Sequence, residues 1–181
     1  MSTAVFFVVQ TLFELSMLCF LLRLVLQLTR ADFHNPLSQF IVRITSPIVT
    51  PLRRIVPPIR GLDTATLLVF LAFETLAVWI LAKTAGITLP IAALVYLVPL
   101  RALYTVIRMY VFAILIYAIL SFVSPGTYNP ISSVLASICE PLLRPVRRII
   151  PAIGGLDLSP LFVLIGLQAL MIGLPMQAWL A

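Results

Sequence analysis

Four polar side chains stand near the centres of otherwise apolar stretches, where an ionised group costs several kcal/mol unless it is paired or hydrated. They are Glu14, Glu74, Arg108 and Gln168. Such groups either pair to fix how helices dock, or carry a proton or cation through the membrane, or face lipid or a partner without a role of their own. The sequence favours the first interpretation and leaves the others open.

A constant spacing relates these residues. Glu14 and Arg108 are 94 positions apart, as are Glu74 and Gln168. If the helices that carry Glu14 and Arg108 meet near a shared axis, the two side chains form a buried ion pair. Glu74 and Gln168 then make a second contact or extend the first. The spacing therefore predicts an intramembrane polar cluster that clasps two halves of the molecule.

The composition defines the elements that must position this cluster. Of 181 residues, 62% are hydrophobic and only 10% are charged, and the mean hydropathy is +1.16. A helix crosses the hydrocarbon core with about 20 apolar residues. The sequence predicts an all-α membrane protein with four transmembrane helices, at 3–29, 64–86, 97–123 and 158–180. The first lacks the basic flank of a signal peptide, so we expect it to be retained.

Other reactive residues are few. His34 is the single histidine, and Cys19 and Cys139 are interpreted as free thiols because one lies in a predicted span and the other in a loop. No metal-ligand cluster, haem-attachment motif or nucleophile–base pair is present in the sequence. We therefore expect no metal, no cofactor and no enzymatic activity.

An internal repeat organises the chain. Residues 35–69 match residues 129–163 without gaps, and sixteen of the 35 positions are identical. The identical positions include Asn35, Pro36, Ser38, Pro47, Pro51, Arg53, Arg54, Pro57, Gly61, Leu62 and Asp63, matched by Asn129, Pro130, Ser132, Pro141, Pro145, Arg147, Arg148, Pro151, Gly155, Leu156 and Asp157.

The repeat predicts the domain boundaries. Residues 1–86 form the first helix–loop–helix unit with its loop at 30–63, and residues 97–181 form the second with its loop at 124–157. Residues 87–96 are a hydrophobic connector that either extends a helix or forms a shallow re-entrant segment. Because each unit has two spans, the units run parallel and both long loops lie on one face.

Each long loop predicts a short amphipathic helix. Asn35 and Asn129 are good N-caps, and Pro36 and Pro130 suit the first helical position. The apolar residues of the two stretches fall at helical spacing: Leu37, Phe40, Ile41 and Ile44, then Ile131, Val134, Leu135 and Ile138. We expect helices of about three turns lying in the membrane interface, apolar stripe down, each ended by Pro47 or Pro141.

Turn residues and arginine pairs complete each loop. Gly61 and Gly155 allow the chain to turn back, and Asp63 and Asp157 can cap the following helix. The pairs Arg53-Arg54 and Arg147-Arg148 have apolar neighbours, which favours contact with anionic lipid headgroups or a partner. Arg23 is close enough to the end of its span to snorkel towards the headgroups.

The distribution of basic residues also predicts how the protein is oriented in the membrane. Eight of the twelve basic residues fall in the long loops: Arg30, Arg43, Arg53, Arg54, Arg60, Arg144, Arg147 and Arg148. Lys83 and Arg101 are assigned to the opposite face. The positive-inside rule then places the long loops in the cytoplasm and both termini outside, in a cell inner membrane. A sequence pI of 10.0 raises nucleic acid as a ligand, but arginines beside apolar helices favour lipid headgroups, so we expect no nucleic-acid binding.

The loop pattern resembles a known family. N-P-[LI]-S, then I-x-x-P-x-x-x-P-[LV]-R-R-I-[VI]-P, then G-L-D at the start of a helix, occurs twice and is similar to the signature of the YggT family in its two-repeat bacterial members. The resemblance implies a link to osmotic-stress tolerance and cation homeostasis. Single-repeat relatives are linked to cell division, plastid division and cytochrome complex assembly.

Two functions remain in competition after this resemblance. The first is a non-enzymatic membrane organiser or assembly factor that binds lipid and a membrane-protein partner or a second copy. The second is an oligomeric channel or transporter for a cation or proton that uses Glu14 and Glu74. Four helices leave little room for a pore in one copy, which disfavours the second.

Overall fold

The computed structural model describes residues 3–59, 61–123, 129–150 and 157–175. These residues form six α-helices and, within the described ranges, no strand, so the predicted all-helical class is confirmed. The helices are α1 (Thr3–Leu28), α2 (Pro36–Arg53), α3 (Thr64–Thr84), α4 (Ile91–Val123), α5 (Pro130–Ile149) and α6 (Ser159–Gly173).

Among the described residues, three helices are long and apolar enough to cross a membrane. Their qualifying stretches are Thr11–Leu28 in α1, Thr64–Thr84 in α3 and Ile91–Ser121 in α4. The described part of α6 has 15 residues, fewer than the roughly 20 of a typical span. Residues 176–180 of the predicted fourth span lie outside the described residues, so the count of four spans stays a prediction.

The start of α4 differs from the predicted span. The sequence placed the span at 97–123, whereas α4 begins at Ile91 and takes in most of the predicted connector. Of the two paths left open for that segment, helix extension is the one observed for residues 91–96. At about 1.5 Å per residue, the 33 residues of α4 are longer than the hydrocarbon core requires. Arg101 therefore lies well inside a helix and not at its end.

The predicted ends of the loop helices are wrong. Pro47 and Pro141 were expected to end helices of three turns, but α2 continues to Arg53 and α5 to Ile149. All four internal prolines, Pro47, Pro51, Pro141 and Pro145, are on exposed faces. There the carbonyls that lose a helical donor can be solvated. The opposite face of each helix stays packed against the bundle beyond the first proline, as the full burial of Val49 and Leu143 shows.

The apolar stripes also point differently from the prediction. They were expected to face lipid, but Ile41 in α2 and Leu135 and Ile138 in α5 are buried in the protein core. Phe40 and Ile44 remain on the exterior, about half exposed. The loop helices thus use much of their apolar surface to pack on the bundle. Burial against other helices removes that surface from water as effectively as contact with lipid does.

The helices pack in the same way in both halves. α1 contacts α2 and α3, α4 contacts α5 and α6, and each loop helix contacts the helix that follows it. Between the halves, α3 packs on α4, α2 on α5 and α1 on α5. The Asn35 side-chain amide donates to the Pro130 carbonyl at 2.8 Å. Because α2 and α5 touch, both connecting segments lie at one end of the bundle, the loop end.

The motif residues fix the helix starts at this end. The Asn35 and Asn129 side chains each accept from a backbone N–H two residues on, at 2.9 Å, and Pro36 and Pro130 follow at the first helical position. Gly61 has a φ of +83°, in the region that glycine tolerates best. Gly155 lies outside the described residues.

Candidate functional site: paired charges inside the bundle and at its loop end

One face of α4 carries three polar residues, Arg101, Thr105 and Arg108, which we call the α4 polar stripe. Spacings of four and three residues place them on the same side of the helix. Arg101 is 7% exposed and Thr105 is 5% exposed. The Thr105 hydroxyl donates to the Arg101 carbonyl at 3.0 Å. The stripe supplies two cations to the space between α4 and its neighbours α1 and α3.

The first acid that meets this stripe is Glu74, the eleventh residue of the 21-residue α3. It is fully buried, and its Oε2 accepts a hydrogen bond from Nη1 of Arg101. The same Nη1 lies 3.7 Å from the Met17 sulfur. Within the described part of the chain, Glu74 Oε1 and Arg101 Nε have no hydrogen-bond partner. This buried ion pair ties α3 to α4 and so joins the two halves.

The second acid is Glu14 of α1. Its Oε2 lies 3.7 Å from Nη2 of Arg108, and both side chains are about one third exposed. The two residues line a cavity of about 160 Å³ between α1 and α4 that also includes Thr11 and Thr105. The structure thus brings together the two repeat-related charges, but in an open cleft and not in the buried site that the sequence suggested.

Gln168 is not part of this cluster. It is exposed on α6, whereas Glu74 is fully buried and paired with Arg101. The expected contact between Glu74 and Gln168 is therefore wrong. Arg101 takes the place expected of Gln168, and assigning Arg101 to the face opposite the loops was also wrong. The Arg101-Thr105-Arg108 spacing was the available signal, because all three residues lie inside the predicted span 97–123.

At the loop end, α1, α2 and the start of α3 form the first-repeat cluster: Arg23, Gln27, Arg53 and Asp63. Arg53 donates to Oδ2 of Asp63, and Arg23 Nε lies 3.7 Å from the same oxygen. The Thr66 hydroxyl also donates to Oδ2, at 2.6 Å. Burial raises the pKa of Asp63, but the hydrogen bonds from Arg53 and Thr66 outweigh it, so the net pKa is below the ordinary value.

Arg23 and Gln27 connect this cluster to its neighbours. Arg23 Nη1 donates to the Thr45 hydroxyl at 2.7 Å and approaches the Val42 carbonyl at 3.3 Å, both on α2. The Gln27 amide donates to the Gly61 carbonyl at 2.7 Å and accepts from the Asp63 N–H at 3.2 Å. Arg23 is only 6% exposed, so the expectation that it snorkels is wrong.

The second half has a corresponding second-repeat cluster: Tyr117, Glu140, Arg147 and Asp157. Arg147 Nε donates to Asp157 at 2.7 Å, Nη1 to Glu140 at 2.8 Å and Nη2 to the Tyr117 hydroxyl at 3.3 Å. Burial raises the pKa of Asp157, but hydrogen bonds from Ser159 and Arg147 bring the net pKa below the ordinary value. Tyr117 stands 94 residues after Arg23, so the repeat replaces a cation with a phenol.

The two arginine pairs divide into inner and outer members. The first member of each pair, Arg53 or Arg147, binds the aspartate ten residues on. The second member, Arg54 or Arg148, is exposed. The sequence treated all four as lipid- or partner-facing; in the structure Arg54 and Arg148 are exposed, Arg53 is partly exposed, and Arg147 is about one third exposed.

The described residues contain no group of three or more His, Cys, Asp or Glu side chains arranged to hold a metal ion. His34 is exposed, with Nδ1 at 3.3 Å from Asp32. Cys139 is fully buried, and burial raises the pKa of its thiol to about 12, only partly offset by Arg147. The protonated form therefore dominates at neutral pH, which makes Cys139 a poor nucleophile.

Long apolar helices, charges paired between them and a twice-used Arg–Asp contact define a helical membrane protein built from two related units. The CCB3/YggT family matches residues 2–84 and again residues 96–178, in agreement with the internal repeat. The chain belongs to this family.

Its relatives cover nearly its whole length. It is 41% identical to an uncharacterised protein of Pseudomonas aeruginosa over 98% of this chain and 96% of the relative. It is 39% identical to the uncharacterised protein YggT of Escherichia coli K12, over 92% of this chain and 87% of the relative. No solved structure matches.

Proposed function

We propose that this protein is a non-enzymatic organiser or assembly factor of the cell inner membrane. In this proposal four spans cross the bilayer, the loop end faces the cytoplasmic leaflet, and the exposed Arg54 and Arg148 contact anionic headgroups. A membrane-protein partner or a second copy of the chain binds beside the bundle. The link to osmotic-stress tolerance rests on the family resemblance alone.

One observation carries this proposal: each of the two mid-helix acids lies against an arginine of α4. A guanidinium beside a carboxylate repels a metal cation and holds neighbouring helices together. The Glu74–Arg101 pair bridges the two halves of the chain, as a structural clasp requires. A cation pathway would instead use acids whose charge is available to the ion.

The alternative, an oligomeric cation or proton channel, is favoured by two details. The Glu14–Arg108 pair lines an open cavity of about 160 Å³. Glu74 Oε1 is buried without a partner in the described part of the chain, so a water molecule there would have an acceptor to bind. We rank this function second because no described acid of the cluster is distant from an arginine.

A flux measurement separates the two functions. The purified full-length chain is placed in liposomes and assayed for potassium, sodium and proton flux, alongside Glu14→Gln and Glu74→Gln. The organiser proposal expects no flux above that of empty liposomes. Flux that Glu14→Gln abolishes while the protein keeps its thermal stability would replace the organiser with the channel.

Orientation needs a separate test. In a variant without native cysteines, Arg54→Cys and Arg148→Cys should be shielded from an impermeant thiol reagent outside intact cells, and a cysteine at either chain end should react. Cys139 itself is unsuitable because it is fully buried and would be shielded in either orientation. Reaction at Arg54→Cys and Arg148→Cys with both ends shielded would invert the topology.

A further inference from the structure

The first-repeat cluster surrounds a cavity of about 310 Å³ at the loop end. Its lining residues are Arg23, Gln27, Phe33, Val42, Arg53 and Asp63. Two guanidinium groups and one carboxylate give the cavity a formal charge of +1. The second-repeat cluster joins Arg147 to both Glu140 and Asp157 and has a formal charge of −1. The repeat has therefore made two related clusters of opposite sign.

The single carboxylate in the cavity is already engaged. Asp63 accepts from Arg53 and from the Thr66 hydroxyl and is 2% exposed. The Arg23 guanidinium contacts both Asp63 and the hydroxyl of Thr45 on α2. The Arg53 side chain is 45% exposed, so the residue lies at the surface and not in the core. One uncompensated positive charge at a partly desolvated site favours an anion.

Exposed apolar side chains occur in the segments that carry the residues lining the cavity. Phe33, in the cavity wall, is 43% exposed and belongs to the loop that follows α1. Leu28, the last residue of α1, is 63% exposed. Ile55 and Ile59, in the segment after Arg53, are 79% and 60% exposed. Exposed aliphatic and aromatic side chains beside guanidinium groups suit a ligand with an anionic head and an apolar body.

We propose that this cavity binds the phosphate diester of an anionic phospholipid, with Arg23 and Arg53 on the phosphate and the acyl chains against Phe33 and its apolar neighbours. Guanidinium groups match phosphate oxygens through paired, charge-assisted hydrogen bonds. Among the described residues of the second repeat, Tyr117 replaces Arg23 and Glu140 adds a negative charge, so we expect no corresponding anion site there. The inference rests on the proposed function only in placing the loop end at a lipid leaflet.

The test measures lipid retention by native mass spectrometry and thermal shift, on the full chain in detergent. Three ligands are compared: short-chain phosphatidylglycerol, phosphatidylcholine of equal chain length, and inorganic phosphate. Phosphatidylglycerol should bind about tenfold more tightly than phosphatidylcholine, and Arg53→Gln should remove about tenfold of that affinity, as expected for one charge-assisted contact. The matched control Arg147→Gln, in the second repeat, should leave the affinity within about twofold.

Two further arms keep the test decisive. Arg23 also ties α1 to α2, so Arg23→Gln is read together with Phe33→Ala, which removes only part of the cavity wall and should lower phosphatidylglycerol retention. Equal loss in Arg53→Gln and Arg147→Gln, or retention unchanged in both Arg53→Gln and Phe33→Ala, would overturn the site. Displacement of the lipid by millimolar phosphate would assign it to free phosphate. None of these results depends on the flux assay, so the two proposals can fail separately.

Discussion

The two halves of the molecule use the same Arg–Asp contact in different surroundings. In the first half Asp63 is 2% exposed and shared by Arg53 and Arg23. In the second half the Asp157 side chain is 36% exposed and is bound by Arg147, which also reaches Glu140. The repeated motif therefore specifies which residues meet, while the residues around it set burial and net charge.

The same contrast extends into the bundle. Glu74 is fully buried against Arg101, but its counterpart Gln168 is an exposed amide. Arg101 itself corresponds to Phe7 in the first half, 94 residues earlier. The buried Glu74–Arg101 pair thus has no charged equivalent at the matching repeat positions, and it lies where α3 meets α4.

The largest expected effect breaks this buried pair. Glu74→Gln leaves the Arg101 guanidinium buried without its counter-ion and should destabilise the fold by roughly 3–5 kcal/mol. Adding Arg101→Gln should recover much of that loss, because the net value of a buried pair is small. Denaturant unfolding in detergent micelles measures both changes. The matched control Gln168→Leu should stay within about 0.5 kcal/mol, and an equal loss in the control would remove the distinction between the halves.

A smaller effect compares the two aspartates. Asn is a good N-cap, so Asp63→Asn keeps the cap and removes only the charge. The loss of charged hydrogen bonds at this buried position should cost about 1.5–3 kcal/mol, whereas Asp157→Asn, at a more exposed pair, should cost about 0–1 kcal/mol. Thermal unfolding of the two variants side by side measures the difference. Equal costs would mean that burial does not distinguish the clusters.

The cleft pair between α1 and α4 should contribute still less. Glu14 and Arg108 are about one third exposed and 3.7 Å apart, so their coupling energy in a double-mutant cycle should be about 0–1 kcal/mol. The cycle uses Glu14→Gln, Arg108→Gln and both together, with unfolding followed in detergent. The charge swap Glu14→Arg with Arg108→Glu should also fold. A coupling as large as that of Glu74 and Arg101 would show that the bilayer closes this cleft.

The smallest expected effect is a pH dependence. Both Asp63 and Asp157 have a pKa below the ordinary value in the folded state. Their contribution to stability is therefore complete above the unfolded pKa of about 3.9 and is lost as the pH falls through the lower folded value. Unfolding temperatures recorded from pH 6 to pH 3 should decline less in Asp63→Asn than in the parent chain. An unchanged decline would assign the acid sensitivity to other carboxylates.

Much of this architecture was accessible from the sequence. Apolar length located α1, α3 and the body of α4, and the repeat located the cap residues and predicted that Glu14 and Arg108 approach. The loop helices were predicted too short, because the local cost of an internal proline was given more weight than packing of the opposite face. Arg23 was expected to snorkel, since sequence cannot show that Asp63 and Thr45 lie beside it.

The sequence by itself determined the membrane class, the family and the duplication, because these depend on composition, apolar length and residue spacing along the chain. Only the tertiary structure decided which charges are buried and which partners they take. Glu74 meets Arg101, 27 residues on, because α3 packs on α4, and Arg53 turns to Asp63 while Arg54 stays outside. Such pairings depend on helix rotation and on contact between elements, and a shift of one residue turns a side chain by about 100° around the helix axis, enough to move it off the inward face.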